Sequence, residues 1–293
     1  MAIYDLLKLI LLAAIWGSSF VFMRIIAPVL GPVVTADLRI FIAGLFLLAY
    51  SLFKGINLNW KKNWIRYLYI GVISLAIPFS LFSYAAMYIP ASYSVVLNST
   101  TPLFGVLLSA LMLNEKITIF KVLGIFLGMT GVFVIADVKA ASINAQFLIS
   151  VLACLFAAAL YAYNSIYVKL KASDISPMAL STGSQIFAGL ALATLIPVSP
   201  VIKPVTMTVV LCLLALAIIC TAVAMLLYYQ LLESVGPTKS LTVTFLMPVF
   251  GIMWGAIFLN EIITFKMVMG SILILMGTGL VLYNKITKAS KRL

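Results

Sequence analysis

Histidine is absent from this 293-residue chain, and Asp and Glu together number only 7. The commonest general base and metal ligand is therefore missing, and paired-acid catalysis has few residues to draw on. Cysteine is scarce. Cys154, Cys212 and Cys220 all lie in apolar runs, and their spacing fits neither a metal site nor a disulfide framework. They read as small core residues. There is no Walker motif for ATP hydrolysis, and nothing resembles a nucleophile with its base. The site therefore calls for no catalytic residue, cofactor or metal, and the chain does not read as an enzyme. Charge itself is sparse at 9%, against roughly 25% in soluble domains.

What fills the chain instead is apolar: 65% of residues are hydrophobic. Such a chain cannot cover its surface in water, so its solvent is lipid. A bilayer core needs about 20 apolar residues per helix. Breaks in hydropathy give spans at 6–27, 33–53, 66–87, 92–113, 119–136, 147–169, 178–197, 208–232, 239–259 and 265–283. The fold class is thus an all-α polytopic membrane protein. Leu6 to Ala27 reads as a retained first helix, because no small-residue cleavage site follows a short apolar core. The longest polar stretches are Lys54 to Trp64, Asp137 to Gln146 and the tail after Tyr283. None could hold a separate soluble domain.

The net charge of +12 would suggest nucleic acid in a soluble protein. Here it follows the positive-inside pattern. Lys54, Lys61, Lys62, Arg66, Lys121, Lys169, Lys171 and the tail fall on one side, against Arg24, Lys139, Lys203 and Lys266 on the other. Both termini are expected in the cytoplasm, and the partner is a lipid bilayer rather than nucleic acid.

The chain also repeats itself. At a shift of 146 residues, Pro102-Leu-Phe-Gly105 lies on Pro248-Val-Phe-Gly251, and Leu113-Asn114-Glu115 on Leu259-Asn260-Glu261. Ile117-Thr118 lies on Ile263-Thr264, Gly124 on Gly270 and Gly131 on Gly277. At a shift of 145, Ala43-Gly44-Leu45 lies on Ala188-Gly189-Leu190, and Trp16 on Tyr161. Ten transmembrane helices thus divide into five plus five, at 1–139 and 144–285, with a basic tail at 286–293. An odd number per half makes the second half enter the membrane from the opposite side, giving two inverted repeats. Many secondary transporters carry that signature.

These motifs resemble the drug/metabolite transporter superfamily, EamA-type. The resemblance rests on Ala14-Ile-Trp16-Gly17-Ser-Ser-Phe20, on Asp37-Leu-Arg39-Ile-Phe-Ile-Ala-Gly44, and on the duplicated Pro-x-Phe-Gly…Leu-Asn-Glu-x-Ile-Thr…Gly. It covers nearly the whole chain. It implies a ten-helix alternating-access carrier with helices 1–4 and 6–9 around the path and helices 5 and 10 as peripheral supports. Members export or exchange amino acids, nucleosides, other metabolites and toxic compounds.

Candidate site residues come from depth and polarity. Pro102 and Pro248 lie mid-span and would free the carbonyls of Asn98 and Thr244. In lipid a freed carbonyl needs a partner or a wet cavity. Pro78 is a third mid-span kink. Trp16, Ser19, Asn98, Thr101, Tyr161, Asn164, Gln185 and Thr244 are the expected substrate-binding residues, on a path between helices 1, 4, 6 and 9. The alternative for each is helix–helix glue, worth about 0.6 kcal/mol. Gly124, Gly128 and Gly131 in helix 5, and Gly270, Gly277 and Gly279 in helix 10, mark close packing or a homodimer contact. Glu115 and Glu261 are expected to favour the positive ends of helices 5 and 10, with Thr118 and Thr264 as N-caps. Trp60, Trp64, Tyr67 and Tyr69 read as an interfacial aromatic belt. Asp37 and Arg39 lie near the outer face, where Arg39 either snorkels outward or pairs with another helix.

The resulting expectation is a secondary carrier of the bacterial inner membrane, an exporter or facilitator of small neutral or zwitterionic metabolites such as amino acids. Two alternatives stay open. One is proton-coupled drug efflux; the other is a membrane-embedded enzyme or lipid-handling protein. Without a mid-membrane acid or histidine, there is no obvious proton relay.

Overall fold

Backbone in lipid must satisfy its own hydrogen bonds, so apolar runs of this length fold as helices. The computed structural model describes residues 3–115, 117–136, 145–240 and 243–290, with side chains through Leu280 except at 232 and 236–240. Every regular element among them is helical: α1 (Ile3–Leu30), α2 (Pro32–Phe53), α3 (Trp60–Tyr88), α4 (Ala91–Leu113) and α5 (Ile119–Ala136) come first. They are followed by α6 (Ala145–Lys171), α7 (Pro177–Ala193), α8 (Met207–Leu214, Ala215–Val223 and Ala224–Ser240), α9 (Val243–Leu259) and α10 (Phe265–Ser290). Helices α1, α2, α3, α4, α6 and α8 are long and apolar enough to cross a membrane. Shorter apolar stretches occupy Ile119–Ile135, Val243–Leu259 and Phe265–Leu280. The chain is an integral membrane protein. The expected connection at Asp137 to Gln146 lies mostly outside the described residues, as do both domain boundaries at 139 and 144.

The repeated Leu-Asn-Glu motif is a helix stop. Asn114 and Asn260 both take the left-handed conformation, each at φ 52°, which asparagine tolerates better than most residues. The amides of Glu115 and Glu261 then donate to the carbonyls of Ser109 and Gly255, at 3.3 and 3.1 Å. Gly31, at φ 79°, makes the sharp turn that ends α1, and Pro32 opens α2 with φ preset for a helix. Thr264 caps α10 as expected, accepting from the Met267 amide at 3.2 Å.

Glu261 does something different from the expected dipole contact with α10. Its carboxylate accepts from the amides of Ala91 (2.6 Å) and Ser92 (3.1 Å) and from the Ser92 hydroxyl. It thus caps α4, across the repeat. The three α4 N-terminal donors attract it more strongly than its own helix, because they are unpaired groups at a positive helix end. Glu115 instead meets Lys121 at 3.3 Å.

Three helices are interrupted. A π-helical segment occupies Val72–Ala76 in α3 and another Ala215–Val223 in α8. Helix α4 breaks after Ala91–Asn98 and resumes as Thr101–Leu113. Pro102 therefore opens a segment instead of kinking one, whereas Pro248 stays inside a continuous α9. Pro78 follows the π segment, in the first turn of Ile77–Tyr88.

Packing pairs α1 with α9 and α6 with α4; α2 lies on α7, and α5 on α10. Small residues set these approaches. A Cβ on Gly17 would come within 2.9 Å of the Gly251 amide, and Trp254 donates to the Ala14 carbonyl at 3.0 Å. The glycine faces of α5 and α10 meet each other within one chain: a Cβ on Gly131 would lie 2.6 Å from the Gly270 carbonyl. The expected aromatic belt is only partly one. Trp64 is exposed, but Tyr67 is fully buried, donates to the Leu58 carbonyl at 2.6 Å and packs edge-on to Trp60. Its hydroxyl found a carbonyl inside the bundle, so it had no need of the interface. Cys154 and Cys220 are buried free thiols, as read from the sequence.

The connections sort onto two faces. On one, Arg66 and Lys62 reach Asp174 at 2.7 and 3.8 Å, and Ser234 donates to Asp5 near the N-terminus. On the other, the amides of Ile202 and Lys203 donate to the Val29 carbonyl, and Glu261 holds the start of α4.

Candidate functional site

A cavity of about 430 Å³ lies among α3, α6, α7 and α8. Its walls include Ser74 and Leu75 within the π segment of α3, Asn164 and Val168 of α6, Ser181 and Ser184 of α7, and Met225 and Tyr229 of α8. At one end it reaches Ala172, Ser173, Ile175 and Pro177, the α6–α7 connection on the Asp174 face. A second cavity of about 510 Å³ shares Pro177 and Tyr229 and continues past Tyr50, Lys54 and Glu233 on that same face. Sizes of about 300–1,000 Å³ suit small molecules. Ser74 and Ser184 turn their hydroxyls onto carbonyls one turn back, at Ile70 and Leu180, so the walls present mainly apolar surface with a few polar groups.

Among the described residues, four buried amide oxygens have no partner, those of Asn63, Asn98, Asn164 and Gln185, and the last two are near the chamber. Asn164 Oδ1 belongs to a wall residue, and Gln185 Oε1 is buried beside one, its Nε2 donating to Ser181 Oγ at 3.2 Å. An unmet buried acceptor costs about 1–3 kcal/mol. Both atoms are buried, Asn164 Oδ1 within a wall residue and Gln185 Oε1 behind Ser181.

The other expected site residues are distributed elsewhere. Trp16 packs against Tyr228, with ring centroids 5.4 Å apart, and Ser19 donates to the Trp16 carbonyl at 2.6 Å. Thr101 donates to the Asn98 carbonyl at 2.7 Å, so that freed carbonyl is satisfied within α4, while Asn98 Oδ1 is buried without a partner. Tyr161 stacks on Phe82 and lies one turn from Asn164. Thr244 is half-buried in α9. The cavity thus uses Asn164 directly and Gln185 through Ser181. It does not run between α1, α4 and α9, where Gly17 and Gly251 bring backbones together.

Arg39 contacts other helices, the second of its two expected courses. It starts near one end of α2 but is 5% exposed, because its long side chain runs inward rather than to the interface. Its Nε donates to Thr221 Oγ1 at 2.9 Å, Nη1 points to Met23 Sδ at 3.4 Å, and the guanidinium lies 3.9 Å from the Phe79 ring centroid. Tyr161 and Cys220 are close enough to interact with its charge. No carboxylate pairs with it among the described residues. Asp37 is also buried, at 3% exposure, with Oδ1 unpartnered. The signal in the sequence was the presence of both charges within an apolar span, which marks a functional residue by default.

A lipid-embedded helical bundle enclosing a chamber of metabolite size defines an integral membrane protein of the transporter class. The chain belongs to the EamA-like transporter family, whose model matches residues 4–136 and again 148–283. An uncharacterized transporter of Archaeoglobus fulgidus is 28% identical over 273 residues, 93% of this chain and 96% of that one. The uncharacterized transporter YvbV of Bacillus subtilis is 28% identical over 294 residues, 97% of this chain and 93% of its own. A solved crystal structure shares the fold with a TM-score of 0.66 at 17% identity, covering 96% of both chains.

Proposed function

We propose that this membrane transporter moves small neutral or zwitterionic metabolites such as amino acids by alternating access, with ten spans arranged as two inverted five-helix repeats. The carrying observation is the chamber among α3, α6, α7 and α8, with the unmet amide oxygen of Asn164 in a wall residue. It faces the lysine-bearing side, which the positive-inside pattern puts in the cytoplasm with both termini. The repeat is supported by the double family match, by the paired asparagine caps, and by π segments at corresponding places in α3 and α8. Contacts also exchange as an inverted repeat requires: α1 on α9 matches α6 on α4, and α3 on α7 matches α8 on α2. A bacterial inner membrane and an export or facilitator direction complete the reading.

Asn57 and Lys203 are equivalent exposed residues in the two halves. In a cysteine-free background, Asn57→Cys and Lys203→Cys are expected to label from opposite sides of intact cells, Asn57 from inside. Labelling from one side would retire the inverted repeat. Counterflow in proteoliposomes against an amino-acid panel tests the substrate.

The buried Asp37 gives one observation in favour of coupling. On that second reading, an imposed proton gradient drives accumulation and Asp37→Asn abolishes the response. Flux that follows the substrate gradient alone would exclude it.

A further inference from the structure

We infer that Arg39 is the anchor for a carboxylate on the transported molecule. The inference rests on the transporter reading and narrows its substrates to zwitterionic or anionic carboxylates.

A charge within an apolar span is costly and marks a functional residue by default. Arg39 bears that cost with no carboxylate beside it among the described residues; its partners are a hydroxyl, a thioether and an aromatic face. None of these neutralises charge. Asp37, two residues away on the same helix, does not pair with it. A guanidinium presents five donors in a fork that fits a carboxylate at two points, and here only two of its nitrogens are engaged.

Its position relative to the chamber follows from the helices that hold it. Phe79 lies one turn beyond Leu75 on α3, Tyr161 one turn beyond Ser165 on α6, and Thr221 one turn beyond Met225 on α8. All three steps lead away from the Ala172–Pro177 end. Arg39 therefore sits beyond the end of the chamber farthest from Ala172–Pro177. A positive group beyond the end of the chamber suits a molecule that carries a carboxylate.

The internal repeat carries the same inference independently. Arg39 corresponds to Ser184, Phe79 to Met225 and Thr221 to Leu75, each a wall residue. Met23 corresponds to Val168 and Cys220 to Ser74, again both in the wall. The residues around Arg39 are thus the mirror image of the open chamber, closed in this conformation. A molecule passing from one chamber to the other meets Arg39 in the second.

The test uses purified protein and matched pairs of probes: L-alanine, L-leucine and L-phenylalanine, each against its carboxamide. Thermal melting is followed in chloride-free methanesulfonate buffer, with a separate chloride titration. At least one acid is expected to stabilise the protein where its amide does not. Arg39→Gln is expected to weaken that acid roughly 10–100-fold, as for a lost charge-assisted hydrogen bond, and Arg39→Lys to weaken it less. If Arg39→Gln does not fold, the acid–amide contrast and Arg39→Lys decide. Equal effects of acid and amide, no effect of any acid, stabilisation by chloride alone, or discrimination surviving in Arg39→Gln would each overturn the anchor. Counterflow separates this from failure of transport itself. Acid flux indifferent to Arg39→Gln removes the anchor and leaves the transporter, whereas absence of flux for every probe removes the transport reading.

Discussion

Glu261 shows how a single residue ties the two halves together. Its carboxylate satisfies two backbone donors of α4 and the Ser92 hydroxyl, and hydrogen bonds to a charged group are worth about 1.5–3 kcal/mol. Glu261→Gln can accept but cannot supply the charge. It is expected to lower the melting temperature measurably, and Glu261→Ala to lower it further; an unchanged melt in the alanine variant would show the cap to be inert. Asp174 behaves differently because it is exposed. Hydrogen bonding to Arg66 holds its carboxyl below the usual value of 3.8, with Lys62 adding to the effect. A lowered folded value means the contribution is fully present above the unfolded value, about 3.9, and is lost as pH falls through the folded one. Arg66→Gln is expected to return the Asp174 titration upward, read by carboxyl NMR. No movement would mean that the pair is not formed in solution.

At the scale of elements, the sequence was most legible where lipid and small residues dictate the answer. Apolar run length gave the helices, because in lipid no other local structure is available. Glycine spacing marked the close-packing faces of α5 and α10. What it could not give was the partner of each face, since glycine stripes serve intrachain and interchain contacts alike. Likewise proline marked α4 as irregular, but Thr100 and Thr101 decided where it broke, by donating to Leu97 and Asn98. The π segments carry no sequence signal of their own beyond Pro78. The α5–α10 seam makes a sharp contrast testable. A Cβ on Gly277 would meet the Gly124 carbonyl and lie 2.7 Å from the Gly128 amide, whereas one on Gly279 meets nothing within 4 Å. Gly277→Ala is expected to destabilise by about 1–3 kcal/mol, as overpacking does. Gly279→Ala should be neutral or gain up to about 1 kcal/mol in helix propensity. Equal yields and melts for the two variants would mean that α5 and α10 do not meet as described.

For the whole molecule, the proposed inverted repeat implies a second chamber related to the observed one. Depth along a span put the path between α1, α4, α6 and α9, whereas the described cavity lies among α3, α6, α7 and α8 and Arg39 is buried. Depth of a Cα says nothing about where a long side chain leads, nor which of two related chambers is open. In the arrangement proposed here, Ser74 lines the open chamber and Cys220, its equivalent, lies buried in the closed one. Alternating access exchanges the two environments. With Cys154 and Cys212 replaced by alanine, Cys220 is expected to react with an impermeant maleimide only from outside. In a cysteine-free chain, Ser74→Cys is expected to react only from inside. Conditions that favour one conformation must then move the two rates in opposite directions, because a single equilibrium governs both. If both positions label from the same face, or if both rates rise together, the chambers are not exchanged by one motion, and Arg39 does not lie on a path that alternates.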